Sequence, residues 1–155
     1  MTDPRAFRNA INAAVTGVTV VTTQTHRRLV GHTVSAMCHV SDEPPTLLIA
    51  LERGSELAAA VAEREAFAVN VLADHQAEVA ETFREPSPTF AAKHWWPFSG
   101  LPRLQGAAAV FECRLDRVHD AGTHTLVLGV VTRAQRGTGR PLAWTRRGYS
   151  APLAA

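Results

Sequence analysis

The sequence predicts a mainly β protein whose strands form an antiparallel barrel. At least six segments have the composition of strands, few have helical periodicity, and the two kinds do not alternate regularly along the chain. A doubly wound parallel sheet requires that alternation, whereas an antiparallel barrel does not. With 155 residues, of which 46% are apolar and 19% charged, the chain is long enough for one domain with a substantial core. We therefore expect residues 1–155 to form a single domain.

The N-terminal segment predicts a helix followed by a strand. Asp3 and Pro4 are favoured at the N-cap and in the first turn, and apolar residues at positions 7, 10, 11, 14 and 15 share one helical face. Gly17 is suited to end this helix. Residues 18–23 (VTVVTT) are β-branched throughout, which favours a strand.

The stretch from residue 30 to residue 64 predicts a strand, a loop, a second strand and a helix. Residues 30–36 alternate as a half-buried strand does, and residues 41–45 (SDEPP) end the strand because of their prolines. Residues 46–51 (TLLIAL) are continuously apolar, which indicates a strand covered on both faces. Ser55 is a favourable N-cap for the Ala-rich residues 56–64. A helix that begins there, with a hydroxyl and an arginine beside its free amides, is a plausible phosphate site.

The second half of the chain predicts further strands around one long irregular segment. Residues 67–72 favour a strand, and Asp74 is placed to cap a short helix that follows it. Residues 84–106 contain four prolines and several aromatic residues, which could cover a flat ligand, contact a partner subunit or bury against the core. Residues 107–119, 123–135 and 142–144 are then expected to be strands.

Charge and composition argue against several classes of function. A net charge of +2 gives no field that favours nucleic acid or an anionic membrane. The N-terminus lacks the regions of a signal peptide, and no apolar run reaches the roughly 18 residues that cross a bilayer. We therefore expect a cytoplasmic protein. Cys38 and Cys113 form no CxxC motif and are expected to be buried, and His119 and His124 lack the further ligands of a zinc site.

Several short motifs, taken in order along nearly the whole chain, resemble those of the flavin reductase-like family. The motifs are Gly31-x-Thr33-x-Ser35-Ala36, Val40-Ser41-x-x-Pro44-Pro45, the turn serine Ser55, Phe67-Ala68-Val69-Asn70-Val71-Leu72, His119-Asp120-x-Gly122-x-His124, Gly129-x-Val131 and Arg146-Arg147-x-Tyr149. The resemblance implies a split β-barrel with peripheral helices, which forms a homodimer and binds flavin near the subunit interface.

The resemblance also implies an activity. Members of this family use NADH or NADPH to reduce FMN or FAD, and they supply the reduced flavin to a separate monooxygenase. The hydride passes directly from the nicotinamide to the flavin ring, so the protein has mainly to hold and align the two rings. This requirement is consistent with the absence of GxSxG, Walker A and HExxH motifs from the sequence.

By the same resemblance, ten residues are candidates for the site. Four would line the isoalloxazine and ribityl chain through backbone amides and short hydroxyls: Thr33, Val34, Ser35 and Ala36. Five others would support the flavin loop, meet the phosphate or lie near the cleft: Ser41, Glu52, Arg53, Ser55 and Tyr149. His124 would act on the nicotinamide side. Each also has a plain structural role open to it, as a strand residue, a helix cap or a buried histidine.

Two departures from the family pattern leave alternatives open. Residues 37–39 (MCH) replace an aromatic and hydroxyl residues, and Glu52 puts an anion beside the phosphate site, so that it must point away or pair with Arg53. The choice between FMN and FAD stays open. A non-catalytic flavin carrier is the main alternative, and a haem protein on the same barrel, with a histidine as axial ligand, is a third interpretation.

Overall fold

The computed structural model of the chain describes residues 1–91, 93–96, 100–146 and 148–152. Its helices are α1 (Pro4–Ile11), α2 (Glu56–Arg64) and α3 (Ala77–Thr82). Its strands are β1 (Thr16–Gly17), β2 (Thr19–Gln24), β3 (Leu29–Val34), β4 (Met37–Asp42), β5 (Pro45–Glu52), β6 (Ala66–Val71), β7 (Ala109–Ala121), β8 (His124–Arg136), β9 (Ala143–Thr145) and β10 (Gly148–Ser150). The prediction of a mainly β fold is confirmed.

The seven longest strands form one antiparallel sheet in the order β3-β2-β6-β7-β8-β5-β4. Its two edge strands, β3 and β4, are consecutive in the chain and are separated only by Ser35 and Ala36. The amide of Ala50 in β5 donates to the carbonyl of Ala36 at 3.0 Å, which fixes this junction to the far edge of the sheet. The sheet therefore curls into a barrel, and the barrel is split between β3 and β5.

Two apolar cores lie on opposite faces of the sheet. Val20 and Val21 are neighbours on β2, point to opposite faces and are both fully buried, one in each core. The first core lies inside the barrel, where α2 packs against it. Phe67 is fully buried there, and burial of a side chain of this size contributes about 2–3 kcal/mol. The second core lies outside the barrel, where α3 and the segment around Trp95 cover it.

A three-stranded sheet completes the fold, in the order β1-β9-β10. We call β9 and β10 the C-terminal ribbon. Trp144 and Tyr149 of this ribbon pack against the second core, and their ring centroids are 4.9 Å apart. The ribbon therefore lies on the same side of the large sheet as α3.

Two predicted boundaries are wrong at points where the chain changes direction. The strand predicted over residues 30–36 ends at Val34, and a separate strand, β4, begins at Met37, because the chain crosses from one edge of the sheet to the other. The N-terminal helix ends at Ile11 rather than near Gly17, and its apolar residues do not reach a core: Phe7 is 61% exposed.

Two predicted side-chain roles are also wrong. Asp74 does not cap α3, which begins three residues later; its carboxylate pairs with Arg140 at 2.8 and 2.9 Å. Cys38 is exposed on β4, since β4 is an edge strand in which no residue is buried, whereas Cys113 is buried as expected. Within the described residues, no helix has the length and apolar character needed to span a membrane.

Candidate functional site: a cleft at the split of the barrel

A cleft of about 710 Å³ opens at the split of the barrel, between β3 and β5. Its volume lies in the range of small-molecule sites, about 300–1,000 Å³. The junction of Ser35 and Ala36 forms one part of its lining, and the end of β5, the start of α2 and residues 85–88 form the others. The site is therefore built from segments that are distant in sequence and that meet because the two sheet edges come together.

The junction supplies polar backbone groups that the fold leaves free. The carbonyls of Ser35 and Ala36 accept hydrogen bonds from Met37 and Ala50, but among the described residues neither of their own amides donates to a backbone acceptor. Both residues are exposed, and the Ser35 hydroxyl has no hydrogen bond to any described residue. Two amides and a hydroxyl at the edge of a cleft are suited to contact the polar edge of a flat ligand.

The start of α2 supplies a second polar region. The Ser55 hydroxyl accepts from the amide of Ala58 at 3.2 Å, so the predicted N-cap is confirmed. This bond leaves the amides of Glu56 and Leu57 without an acceptor among the described residues, at the positive end of a nine-residue helix. Ser55, Glu56 and Leu57 all line the cleft, which places an anion-binding helix start at its border.

Thr33 joins the cleft to α3. Its hydroxyl donates to the carbonyl of Ala80 at 2.6 Å, and its amide donates to the carbonyl of Phe83 at 2.9 Å. The family resemblance assigns the hydroxyl and the amide of Thr33 to flavin contact. Both groups are instead bonded within the protein. Residues 85–88 begin two positions after Phe83 and form one wall of the cleft.

The charges of the cleft are mainly acidic. Arg28 lines the cleft, and its guanidinium lies 2.5 Å from the carboxylate of Glu56. Glu52 and Glu85 line it as well, and neither has an ion pair with a described residue. Arg53 lies at the start of the turn after β5, where its guanidinium is 3.7 Å from Asp120. Of the two expectations for Glu52, the pairing with Arg53 is wrong, because Arg53 pairs with Asp120 instead.

His124 lies at the first position of β8, directly across from Glu52 of β5, and it lines the cleft. Its side chain is exposed, and its Nδ1 atom is 2.9 Å from the hydroxyl of Thr123. The imidazole is therefore accessible to a ligand in the cleft. In the described part of the chain, no group of three or more potential ligands could hold a metal ion.

A sequence profile of the flavin reductase like domain matches residues 11–152 of this chain.

The chain belongs to the flavin reductase-like family.

Two named relatives support this assignment. FMN reductase (NADH) SmoA of Agrobacterium fabrum is 38% identical over 142 residues, which cover 91% of this chain and 82% of SmoA. A "Probable flavin reductase" of Rhizobium meliloti is 36% identical over 156 residues, which cover 99% of this chain. The chain spans only 50% of the length of the Rhizobium protein, so that protein contains further sequence.

Solved structures of flavin reductases share the fold of this chain. NADH:FAD oxidoreductase SgcE6 of Streptomyces globisporus, in complex with NAD and FAD fragments, aligns with a TM-score of 0.90 and 28% identity over 99% of this chain and 96% of SgcE6. The styrene monooxygenase flavin reductase of Pseudomonas putida aligns with a TM-score of 0.86 and 27% identity over 96% of this chain and 99% of that one. The predicted split barrel is confirmed for this member of the family.

The fold brings seven of the ten candidate residues of this flavin reductase-like chain together and leaves three elsewhere. The seven that line the cleft are Thr33, Val34, Ser35, Ala36, Glu52, Ser55 and His124. Ser41 lies on β4, where its hydroxyl accepts from the amide of Glu43 at 3.1 Å. Arg53 faces Asp120, and the hydroxyl of Tyr149 donates to Glu81 at 2.6 Å. Ser41, Arg53 and Tyr149 are therefore not part of the cleft lining.

The cleft of this family member also contains residues that the sequence did not single out. They include Arg28, His32, Glu56 and residues 85–88. Arg28 precedes the Gly31-x-Thr33 motif by three residues, and this closeness in sequence could have identified it as a candidate cleft residue. The wall at residues 85–88 belongs to the irregular segment whose aromatics could cover a ligand, contact a partner or bury against the core. None of its described aromatics lines the cleft, and Trp95 is buried in the second core. Phe98 and Arg147 lie outside the described residues.

Proposed function

We propose that this chain is a flavin reductase that uses NADH to reduce FMN or FAD and supplies the reduced flavin to a separate monooxygenase. One observation supports the proposal most directly: the free amides of Ser35 and Ala36 and the free start of α2 lie on the border of the same cleft. A flavin nucleotide needs both groups, because its ring edge takes hydrogen bonds and its phosphate takes an anion site. The cleft therefore fits this ligand.

In this assignment the start of α2 holds the phosphate. The amides of Glu56 and Leu57 point out of the helix start, and Arg28 is the cationic side chain in the described lining of the cleft. Glu56 already pairs with Arg28, so a bound phosphate must share the guanidinium with Glu56 or displace it. The carbonyl of Glu52 accepts from the amide of Ser55 at 3.1 Å, so Glu52 neighbours this helix start. Its carboxylate and that of Glu85, which also line the cleft, add no attraction for the phosphate.

When it is bound, a flavin supplies a ring that accepts a hydride from the nicotinamide C4. The junction of Ser35 and Ala36 would orient that ring from its edge, and the wall at residues 85–88 would limit access of water. His124 lies across the strand pair from Glu52 and is accessible from the cleft, so we assign it to the nicotinamide side. The protein's contribution is alignment of the two rings rather than proton transfer.

NADH is the proposed reductant because the relative SmoA is named as an FMN reductase (NADH) and SgcE6 as an NADH:FAD oxidoreductase. A monooxygenase partner is proposed because one structural neighbour is the flavin reductase of styrene monooxygenase. We also propose a cytoplasmic homodimer in which residues 1–155 act as one domain. Among the described strands the edge strand β4 pairs with β5 alone, and the exposed Val40 (46%) and Val118 (47%) provide apolar surface for a second copy.

A spectroscopic assay tests this function. We expect loss of NADH absorbance that depends on added FMN or FAD, at a rate far above the reaction without protein. Flavin binding without turnover would instead support the carrier interpretation, and no flavin binding would contradict both. His124→Ala should raise the KM for NADH or lower kcat while flavin affinity stays the same, whereas unchanged kinetic constants would remove His124 from the site.

A further inference from the structure

The C-terminal ribbon contacts the segment that leads into the cleft wall. The Tyr149 hydroxyl donates to a carboxylate oxygen of Glu81 at 2.6 Å, and the guanidinium of Arg84 lies 3.3 Å from the same oxygen. Arg84 also lies over the ring of Trp144, 5.3 Å from its centroid. The ribbon therefore holds two residues one helical turn apart, Glu81 through Tyr149 and Arg84 through Trp144.

The opposite side of this segment is held by β3. The carbonyls of Ala80 and Phe83, again one turn apart, both accept hydrogen bonds from Thr33. Residues 80–84 are thus fixed from two directions, by a strand that lines the cleft and by the ribbon. Since residue 85 follows at once and lines the cleft, little flexible chain separates the contacts of Tyr149 from the wall.

The wall itself is a short loop closed at its base. The rings of Phe83 and Phe90 meet edge to face, with centroids 4.9 Å apart, so the loop between them begins and ends at one point. Ser87, in the middle of the loop, has a φ of 54°, and residues 85–87 are exposed. The loop therefore takes its position from its two ends rather than from contacts of its own.

We infer that Tyr149 is a positioning residue, which fixes the cleft wall at residues 85–88 through its hydrogen bond to Glu81. The expected effect of Tyr149 on flavin binding rests on the proposed function, whereas its expected effect on the position of the wall does not. This role explains the aromatic side chain at residue 149 without any contact to ligand. The hydroxyl also has its own signature: its hydrogen bond lowers the pKa of Glu81 below the ordinary carboxyl value, while burial, followed by the bond to Glu81, raises the pKa of Tyr149.

Tyr149→Phe tests the inference because it removes only the hydroxyl. We expect the dissociation constant for FMN to rise about threefold to tenfold, which is the range for the net contribution of one ordinary intramolecular hydrogen bond. We also expect faster amide hydrogen exchange in residues 80–90 without added flavin, while kcat at saturating flavin stays nearly constant. Glu81→Ala should reproduce both effects, and Glu81→Gln, which keeps an acceptor oxygen, should restore most of the affinity.

Glu78→Ala is the matched control. Glu78 lies on the same helix, is exposed, and has no side-chain hydrogen bond or ion pair with the described residues. Unchanged exchange in residues 80–90 of Tyr149→Phe would overturn the inference. Faster exchange with unchanged FMN affinity would instead show that the position of the wall does not affect flavin binding, and would overturn that part of the inference. If the unaltered protein binds no flavin, the proposed function fails, and the exchange measurement alone decides whether Tyr149 positions the wall.

Discussion

Gly31 lies on β3 where the rings of Phe83 and Phe90 approach the backbone. A Cβ atom at this position would come within 2.9 Å of Phe83 Cε1 and 3.0 Å of Phe90 Cζ. Phe83 is 2% exposed and contacts both Phe90 and Trp95, so its ring cannot move aside without disturbing the second core. The missing side chain at residue 31 thus lets the two phenylalanines at the base of the wall pack against β3.

Gly31→Ala is expected to lower the free energy of unfolding by about 1–3 kcal/mol, because the added methyl group overpacks the two rings. Urea denaturation measures the change. Gly17→Ala is the control, since a Cβ there would meet nothing within 4 Å and the cost should stay within about 0.5 kcal/mol. Equal stability of the two variants would contradict the close approach of the rings.

The buried thiol of Cys113 predicts how the stability of the fold depends on pH. Burial, with a smaller contribution from the charge of Glu112, raises the pKa of Cys113 from 9.0 to about 12. The unfolded chain therefore loses this proton first, so stability is complete below about pH 9 and falls as the pH rises toward about 12.

We expect Cys113→Ala to lose less stability than the unaltered chain between pH 8 and about pH 10, as measured by urea denaturation at each pH. A thiol reagent at neutral pH should label the exposed Cys38 quickly and Cys113 only after unfolding. Rapid labelling of both thiols in the folded protein would show that Cys113 is not buried in solution.

At the scale of elements, α2 has a structural role and a proposed binding role at the same residue. Ser55 caps the helix and also lies on the border of the cleft. The two roles respond to different substitutions, because a cap needs only an oxygen acceptor, whereas a phosphate site needs low negative charge.

Ser55→Asp is expected to keep the helix cap, since aspartate is as good an N-cap as serine, and to weaken FMN binding at least about tenfold through repulsion of the phosphate. Ser55→Ala removes the cap, so it should lower the free energy of unfolding by about 1 kcal/mol. Its loss of FMN affinity should be smaller than that of Ser55→Asp. Fluorescence titration with FMN and thermal unfolding separate the two effects. Full FMN affinity in Ser55→Asp would place the phosphate elsewhere.

Over the whole molecule, the arginines around the cleft are already paired. Arg28 contacts Glu56, Arg53 contacts Asp120, and Arg84 contacts Glu81. Glu52 and Glu85 remain as carboxylates on the lining, so a chain with a net charge of +2 has an acidic cleft. One phosphate can be held at the start of α2, but the described cleft has no further cation for a second.

The proposed reductase should therefore prefer NADH to NADPH, because the added 2′-phosphate meets acidic side chains without a partner. We expect kcat/KM for NADH divided by kcat/KM for NADPH to fall as the salt concentration rises to about 0.5 M. Salt screens the repulsion between the 2′-phosphate of NADPH and the acidic side chains. Glu85→Gln should lower the NADH-to-NADPH ratio of kcat/KM about twofold or more, and Glu78→Gln, which does not line the cleft, should leave that ratio unchanged. Equal use of both nucleotides at low salt would contradict this account of the charges.

Local features of this chain were predictable from sequence, and long-range ones were not. The strand β5 and the cap at Ser55 follow from apolar run length and capping preference, both of which act within a few residues. The break at Ser35 and Ala36 has no proline or glycine to mark it, since it arises from barrel closure. The pairing of Arg28 with Glu56 and of Tyr149 with Glu81 joins distant segments, so no local pattern could indicate either pair.

The junction of Ser35 and Ala36 belongs to the barrel and to the cleft at the same time. A longer junction would admit a larger ligand, but it would also separate β3 from β4 and open the first core to water. Residues 85–88 belong to no strand and can change in length at little cost to the barrel. We therefore expect proteins of this fold that bind different ligands to differ mainly in the loop at residues 85–88. The junction should keep its length, because the stability of the barrel depends on it.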